Sequence, residues 1–183
     1  NTVLRRMIRR CTVESYSAIV EQLRAFDSNF TITSDFIVGF PGETEHEFQE
    51  TITTLEQLTL ADLHLFPYSL RAGTAASRLP RQLPKGLKQE RLKVLRQIGA
   101  RHQKQHLKNM LNQVRPVLWE RDAEHLSDGL IRWHGYTDNY VRAVCDTTSD
   151  VVLFNQIENI KLQSLFDSSK PTLQGSRTAN LEA

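Results

Sequence analysis

The sequence of 183 residues lacks the features that mark membrane, secreted and metal-binding proteins. Its two cysteines, Cys11 and Cys145, are too few for a disulfide framework, and neither lies in a Cys-x-x-Cys pair typical of zinc or redox sites. No run approaches the roughly 18 consecutive apolar residues of a membrane-spanning helix, and no signal-peptide pattern opens the chain. We therefore expect a cytoplasmic protein with no membrane partner.

An excess of one charge is also missing, because 23 basic and 21 acidic side chains give a formal net charge of +2. The distribution is nevertheless uneven. Residues 85–108 contain eight basic side chains against the single acidic Glu90, and a second basic cluster contains Arg5, Arg6, Arg9 and Arg10. Local basic clusters in a nearly neutral chain favour a polyanionic partner, and a solvated helix face is the alternative.

The first half of the chain shows alternating helix and strand patterns. Apolar spacing and composition predict, in order, a helix over 14–26, a strand over 30–40, a helix after Thr44, a strand over 61–68 and a basic helix over 85–110. Thr12 is a possible N-cap, and Thr44 with Glu47 forms a capping box. This order implies parallel strands in an α/β sheet or (β/α) barrel, but two strands are too few for a complete barrel.

From residue 110 the pattern changes to short strands separated by turn residues. Strands are predicted over 114–119, 130–134, 139–145, 151–154 and 156–162. Short strands at this spacing predict a small antiparallel β-barrel. Residues 164–183 have few apolar side chains and are predicted to be a disordered tail. The expected domains are therefore 1–108, 109–163 and this tail.

Glycine and polar residues follow both predicted strands of the first half. Ligands of parallel α/β folds bind at the carboxyl ends of the strands, where Gly39 and Gly42 allow close approach and Tyr68 and Arg71 offer polar groups. On the residues alone, an ordinary strand-to-helix connection is the favoured interpretation of the first loop, and an ordinary surface arginine is an equally good interpretation of Arg71. No P-loop lysine, Ser-His-Asp triad, Cys-His pair or metal-ligand cluster is recognisable.

Several strings resemble motifs of one enzyme family. Residues 34–44, SDFIVGFPGET, followed by 64–76, HLFPYSLRAGTAA, are similar to the TD-x-IVGFPGET and H-x-FPYS-x-R-x-GT-x-A motifs of the radical S-adenosylmethionine methylthiotransferases. Residues 4–12, LRRMIRRCT, resemble the family's LKRMNRRYT, and Gln89-Glu90-Arg91 resembles the start of its basic helix. Residues 135–142, GYTDNYVR, resemble GHTDNYIRV of its TRAM domain, in the branch that acts on threonylcarbamoyladenosine.

The resemblance implies a fold and an activity. Residues 1–108 would be the last part of a radical SAM (β/α) partial barrel, and 109–163 a TRAM-like RNA-binding β-barrel. The enzyme would be a transferase that uses S-adenosylmethionine and two 4Fe-4S clusters to add a 2-methylthio group to threonylcarbamoyladenosine next to the tRNA anticodon. The family's cluster cysteines are missing from this sequence. We therefore expect a carboxyl-terminal fragment that is inactive alone.

The resemblance also implies roles for individual residues. Those expected to bind the cofactor are Arg9, Ile37, Val38, Gly39, Phe66 and Tyr68. Those expected to bind the substrate nucleoside are Tyr68, Arg71 and Thr74. Those expected to contact the tRNA anticodon stem-loop are Arg132, Tyr136, Asn139, Tyr140 and Arg142. Two alternatives stay open, a non-catalytic RNA-binding module and the isopentenyladenosine branch of the same family.

Overall fold

A computed structural model describes residues 1–167 and 169–178 of the chain. The chain divides into two compact units, Asn1–Gln103 and Lys104–Ala183. Among the described residues, no helix combines the length and the apolar character that crossing a membrane requires.

The first unit contains a two-stranded parallel sheet and several helices. Its elements are helix α1 (Thr2–Arg6), helix α2 (Val13–Phe26), strand β1 (Thr33–Val38), helix α3 (Glu45–Leu58), strand β2 (Asp62–Pro67), a 3-10 helix (Ala75–Arg78) and most of helix α4 (Lys85–Asn109). Strand β1 pairs with β2 in parallel, which places Ile37 beside Phe66. The predicted order of long helices and strands and the parallel pairing are confirmed.

Local capping explains where two of these helices begin. The Thr12 hydroxyl accepts a hydrogen bond from the Ser15 amide, and the Thr44 hydroxyl accepts one from the Glu47 amide. The Glu47 carboxylate accepts in return from the Thr44 amide at 2.8 Å, which completes the predicted capping box. Helix α1 and the 3-10 helix were not predicted, because elements of 5 and 4 residues are too short to show a periodic pattern.

The helices of the first unit pack against one face of the sheet. The hydrophobic core between the helices and the sheet includes Val20 of α2, Leu55 of α3, Leu95 of α4 and the strand residues Val38 and Leu63. Because side chains alternate along a strand, the intervening positions lie on the other face. That face, called here the open face, exposes Thr33, Asp35, Ile37, His64 and Phe66.

The second unit is a closed barrel of five strands. These are β3 (Val114–His125), β4 (Ile131–Thr137), β5 (Arg142–Thr147), β6 (Ile157–Phe166) and β7 (Thr172–Arg177), in the spatial order β3-β4-β5-β7-β6. Four of the pairings are antiparallel, whereas β5 pairs with β7 in parallel. The predicted small β-barrel is confirmed, but it is a mixed barrel and not an antiparallel one.

Two predictions for this unit are wrong. Residues 151–154 form no strand, although Leu153 is buried in the core. The predicted disordered segment, 164–183, instead holds the end of β6 and all of β7, while residues 168 and 179–183 lie outside the described residues. Composition concealed β7 because Leu173 is its one buried large apolar residue, and its next inward position is Gly175.

The barrel interior is filled by apolar side chains. They include Val117, Trp119, Ile131, Trp133, Ala143, Ile160, Leu162 and Leu173. Gly135 is required by close approach, because a Cβ there would lie 2.4 Å from the Leu118 carbonyl oxygen and 2.8 Å from the Trp119 ring. Both tryptophans of the chain therefore lie in the barrel core.

Candidate functional site

The loop after β1 is shaped by glycines in the left-handed conformation. Gly39 has φ of 70° and Gly42 has φ of 74°. A Cβ on Gly39 would meet Cγ of Lys88 at 2.3 Å, so the stem of that lysine packs directly on the glycine. The Gly39 amide donates to Oε2 of Glu43 at 3.1 Å, and it is therefore occupied within the protein.

Glu43 is held by a buried ion pair with Arg91 of helix α4. Both side chains are 4% exposed, and Nη1 of Arg91 also donates to the Glu43 carbonyl oxygen at 3.2 Å. Nη2 donates to the Glu45 carboxylate at 3.0 Å, and the guanidinium lies 4.8 Å from the centre of the Phe48 ring. The pair ties α4 to the loop after β1. Sequence reasoning missed it, because partners 48 residues apart leave no local pattern.

Tyr68 follows β2 and is held on both sides of its backbone. Its amide donates to the Val38 carbonyl at 2.8 Å, and its own carbonyl accepts from Nζ of Lys88 at 2.9 Å. Its ring packs edge-on against Phe40, with ring centres 5.3 Å apart. The Tyr68 hydroxyl is buried and has no hydrogen-bond partner among the described residues. The hydroxyl is therefore the polar group that this residue can offer to a ligand.

The structure brings together some of the predicted cofactor-binding residues and separates others. Ile37 and Phe66 are register partners on the open face, where they are 37% and 51% exposed. Val38 lies on the opposite face and is 2% exposed, so its side chain belongs to the core under the helices. Ile37 and Phe66 thus form one apolar surface, and Val38 supports it from behind.

The amino-terminal arginine that reaches the loop after β1 is Arg6, and the predicted Arg9 is exposed. Arg6 donates to the Pro41 carbonyl at 3.3 Å and to the Glu47 carboxylate at 2.6 Å. Burial by itself would raise the pKa of Glu47, but hydrogen bonds from the Thr44 amide and from Arg6 outweigh it and lower that pKa overall. Glu47 is therefore ionised at neutral pH and pairs with Arg6 across the contact between the first helix and the start of α3.

The loop after β2 contains the predicted substrate-binding residues Arg71 and Thr74. The Thr74 hydroxyl donates to the Arg71 carbonyl at 2.8 Å and accepts from the Ser77 amide at 3.3 Å. Thr74 therefore caps the 3-10 helix, and the side chain of Arg71 is exposed. The structure gives Thr74 a local structural role and leaves Arg71 available to a ligand.

The basic helix uses part of its charge inside the first unit. Arg91 pairs with Glu43, Arg101 pairs with Glu56, and Lys88 binds the Tyr68 carbonyl. The other basic side chains of the cluster are exposed, namely Lys85, Lys93, Arg96, Lys104 and Lys108. The charge cluster is thus partly structural.

On the barrel, two tyrosines form a stacked pair on the outer surface. The rings of Tyr136 and Tyr140 are 5.0 Å apart between centres and inclined by 23°. Tyr140 is 78% exposed and follows β4 in a turn, with φ of 66°. Tyr136 has Leu118 as its register partner on β3 and Arg142 on β5. Register partners lie on the same face, so these side chains form one outward surface, called here the tyrosine face.

Two of the predicted RNA-binding residues have hydrogen-bond partners within their own unit. Arg132 donates to both carboxylate oxygens of Asp146 at 2.7 Å, and these hydrogen bonds raise its pKa. Asn139 accepts from the Thr137 hydroxyl at 2.6 Å and donates to the Met110 sulfur at 3.6 Å. Arg132 is thus neutralised by a carboxylate, and Asn139 holds the turn that presents Tyr140.

His134 lies beside the tyrosine face and was missed as a candidate residue. It occupies an outward position of β4 between Arg132 and Tyr136, and it is half-buried. Its Nδ1 is buried and has no hydrogen-bond partner among the described residues. Burial, followed by the positive charge of Arg142, lowers the pKa of His134. The alternation of apolar Ile131 and Trp133 with polar Arg132 and His134 in the sequence could have indicated this outward position.

No group of three or more His, Cys, Asp or Glu side chains in the described ranges could hold a metal ion. Cys11 is exposed in the first unit, and Cys145 is buried in the barrel, where burial raises its pKa. A 4Fe-4S cluster needs several thiolate ligands. The residues present therefore do not fit such a cluster.

Comparisons with known proteins identify relatives of the chain, although no family model matches it. It is 36% identical over 152 residues to the threonylcarbamoyladenosine tRNA methylthiotransferase MtaB of Bacillus subtilis strain 168, covering 83% of this chain and 34% of that protein. It is 33% identical over 175 residues to the tRNA-2-methylthio-N(6)-dimethylallyladenosine synthase of Ehrlichia ruminantium strain Gardel, covering 96% and 38% respectively. The corresponding Anaplasma phagocytophilum synthase is 37% identical over 139 residues, covering 76% and 31%.

The matched region includes most of this chain and about a third of the length of each of these relatives. The resemblance inferred from the motifs is confirmed, and the chain belongs to the methylthiotransferase family.

Proposed function

We propose that this chain is the carboxyl-terminal part of a tRNA methylthiotransferase that acts on threonylcarbamoyladenosine. In this proposal the first unit is a section of a radical SAM (β/α) partial barrel, and the second unit is a TRAM-like domain that binds the tRNA anticodon stem-loop. The MtaB relative and the string GYTDNYVR support this branch of the family. The chain by itself is expected to be catalytically inactive.

The observation that carries the proposal is the unequal covering of the β1–β2 sheet. Helices α2, α3 and α4 contribute to the core on one face, and the open face exposes apolar side chains. In a (β/α) barrel the helices surround the strands, and the opposite face of the strands lines the interior. Two parallel strands covered in this way have the form expected for part of a barrel wall.

The carboxyl ends of β1 and β2 fit a cofactor that contains a nucleoside. Ile37 and Phe66 offer adjoining apolar surface for a purine ring, and the buried Tyr68 hydroxyl lacks a protein partner among the described residues. Bound S-adenosylmethionine supplies the radical chemistry of the reaction. The residues of this chain would position its adenosine and exclude water, and Arg9 is the candidate for its carboxylate. The part of the chain that the structure describes offers no ligand set for a 4Fe-4S cluster.

The tyrosine face supports the RNA-binding part of the proposal. Exposed aromatic rings stack on unpaired bases, and arginine contacts the phosphate backbone. Tyr136, Tyr140 and Arg142 provide these groups side by side. Arg71, in the loop after β2, and the Tyr68 hydroxyl are the remaining candidates for the substrate nucleoside.

Nucleoside mass spectrometry of tRNA tests the proposal in a strain that lacks the gene encoding this chain. We expect 2-methylthio-threonylcarbamoyladenosine to disappear and 2-methylthio-isopentenyladenosine to persist. Restoring the gene should restore the product, and the Phe66→Ala variant should restore much less of it. The control Phe26→Ala removes a residue that is 87% exposed on α2 and should restore it fully.

The same measurement separates the alternatives. Loss of the isopentenyladenosine product instead would assign the chain to the other branch of the family. Unchanged levels of both products would favour a non-catalytic RNA-binding module, for which the tyrosine face alone is sufficient.

A further inference from the structure

We propose that Arg142 and His134 form a phosphate subsite on the barrel, where the imidazole takes up a proton as an RNA phosphodiester binds. The inference rests on the proposed RNA-binding function. It adds His134 to the RNA-binding residues and couples RNA binding to protonation of its imidazole. RNA affinity then depends on pH in the range where histidine titrates.

Arg142 differs from three other arginines of the barrel in having no carboxylate partner among the described residues. Arg115 pairs with Asp138, Arg132 with Asp146 and Arg177 with Glu158. Among the described residues Arg142 has no carboxylate partner, and its Nε is buried without any hydrogen-bond partner. Arg6 and Arg91 also have an unpartnered buried Nε, but each of them is paired with a carboxylate, so Arg142 is distinguished by its missing anion. Because a half-buried guanidinium favours a charged acceptor, an anionic ligand from outside the chain would fit here.

His134 lies close enough to Arg142 to respond to its charge. The two residues belong to neighbouring strands, and His134 is diagonal to Arg142 because Tyr136 is the register partner of Arg142. The tyrosine stack begins at the same Tyr136. A base on the stack and its phosphate at Arg142 would therefore lie next to the imidazole.

The charges around His134 come from three strands. Arg142 on β5 and Arg132 on β4 lower its pKa, and Asp122 and Glu124 on β3 raise it. Burial has the largest effect and also favours the neutral imidazole. Because Arg132 is already neutralised by Asp146, Arg142 is the dominant positive neighbour, and a phosphate bound to it reverses the local balance.

The sign of the linkage follows from this balance. In the free protein the pKa of His134 is lowered, so the ring is neutral near pH 7. A bound phosphate raises that pKa, and RNA binding then takes up a proton. Affinity should increase as the pH falls from the pKa of the complex to the pKa of the free protein, and should be constant below the lower value.

The test measures binding of a fluorescein-labelled anticodon stem-loop RNA to the 183-residue chain by fluorescence anisotropy, at constant ionic strength. As the pH falls from about 8 we expect the affinity to rise, and below the pKa of the free protein the total rise should reach about tenfold, which corresponds to a shift of one pKa unit on binding. His134→Gln should remove the pH dependence. The matched control His125→Gln, at the exposed end of β3, should retain it.

A second measurement follows the His134 ring signal by NMR, with and without the RNA. We expect its pKa to rise on binding in the native chain and to rise less in Arg142→Gln. Affinity that does not depend on pH, or a pKa that stays the same, would overturn the inference and leave RNA binding intact. Absence of RNA binding at every pH would overturn the proposed function as well.

Discussion

The two units of this chain satisfy the backbone hydrogen-bonding groups of their strands in different ways. In the first unit β1 and β2 pair with each other alone among the described residues, whereas every barrel strand pairs on both sides. Closure satisfies the backbone of the barrel strands and surrounds an apolar interior. The open sheet retains two edges and an exposed face, and its loops are fixed by polar contacts such as Glu43 with Arg91. The ion pairs of the barrel are partly exposed, whereas the first unit also depends on a fully buried one, Glu43 with Arg91.

Among the variants considered, replacement of Arg91 should cause the largest loss of stability, and it should do so in the first unit alone. The Arg91→Met variant leaves the Glu43 carboxylate buried without its cation, which should cost about 3–5 kcal/mol in the first unit. Urea unfolding followed by far-ultraviolet circular dichroism should show early loss of helix. Tryptophan fluorescence should be unchanged, because both tryptophans lie in the barrel.

Two further variants control this prediction. Lys93→Met alters an exposed position two residues along the same helix and should leave the helical transition unchanged. The double variant Glu43→Gln with Arg91→Met should recover part of the lost stability, since no buried charge is then unpaired. Equal stability of Arg91→Met and the native chain would show that the ion pair does not hold the open unit.

Truncation of Leu173 should give the next largest effect, now in the barrel. Leu173 is fully buried, and Leu173→Ala should lower the free energy of unfolding of the barrel by about 2–5 kcal/mol. The tryptophan fluorescence transition should shift to lower urea concentration. Val152→Ala, at a position that is 70% exposed, should not shift it. If β7 did not close the barrel, Leu173→Ala would leave the fluorescence transition as unchanged as Val152→Ala does.

The smallest expected effect concerns the start of α3. Thr44→Ala removes the side chain that accepts from the Glu47 amide at 3.2 Å, and should cost about 1 kcal/mol of the stability of the first unit. The helical transition measures this loss. Thr53→Ala in the exposed middle of α3 should instead stabilise the helix slightly, because alanine has the higher helix propensity. A loss from Thr53→Ala as large as that from Thr44→Ala would point away from capping.

The features predicted well from the sequence are those specified by neighbouring residues. Thr44 and Glu47 are three positions apart, so their capping box is readable in the chain, and the apolar spacing of α2 and α3 is equally local. Contacts between distant residues were not predicted, as with Arg91 and Glu43. The same limit applies to Arg132, whose neutralising partner Asp146 lies across a strand pair.

Strand β7 was missed for a different reason. A strand in a small barrel needs an apolar residue only where it faces the interior, and close packing can place glycine there. At Gly175 a Cβ would approach Ile160 to 2.4 Å, so one of the inward positions of β7 carries no hydrophobic signal. With Gln174 and Ser176 facing outward, the segment has the composition of a loop although it completes the barrel.

The close packing of Lys88 on Gly39 makes a single substitution at either position unfavourable. Alanine at position 39 would collide with the lysine stem and would also require a left-handed backbone that disfavours any side chain. Shortening residue 88 relieves the collision alone, and it removes the ammonium group that binds the Tyr68 carbonyl. Because each single substitution is unfavourable, we expect relatives that have glycine at position 39 to have lysine at position 88 as well.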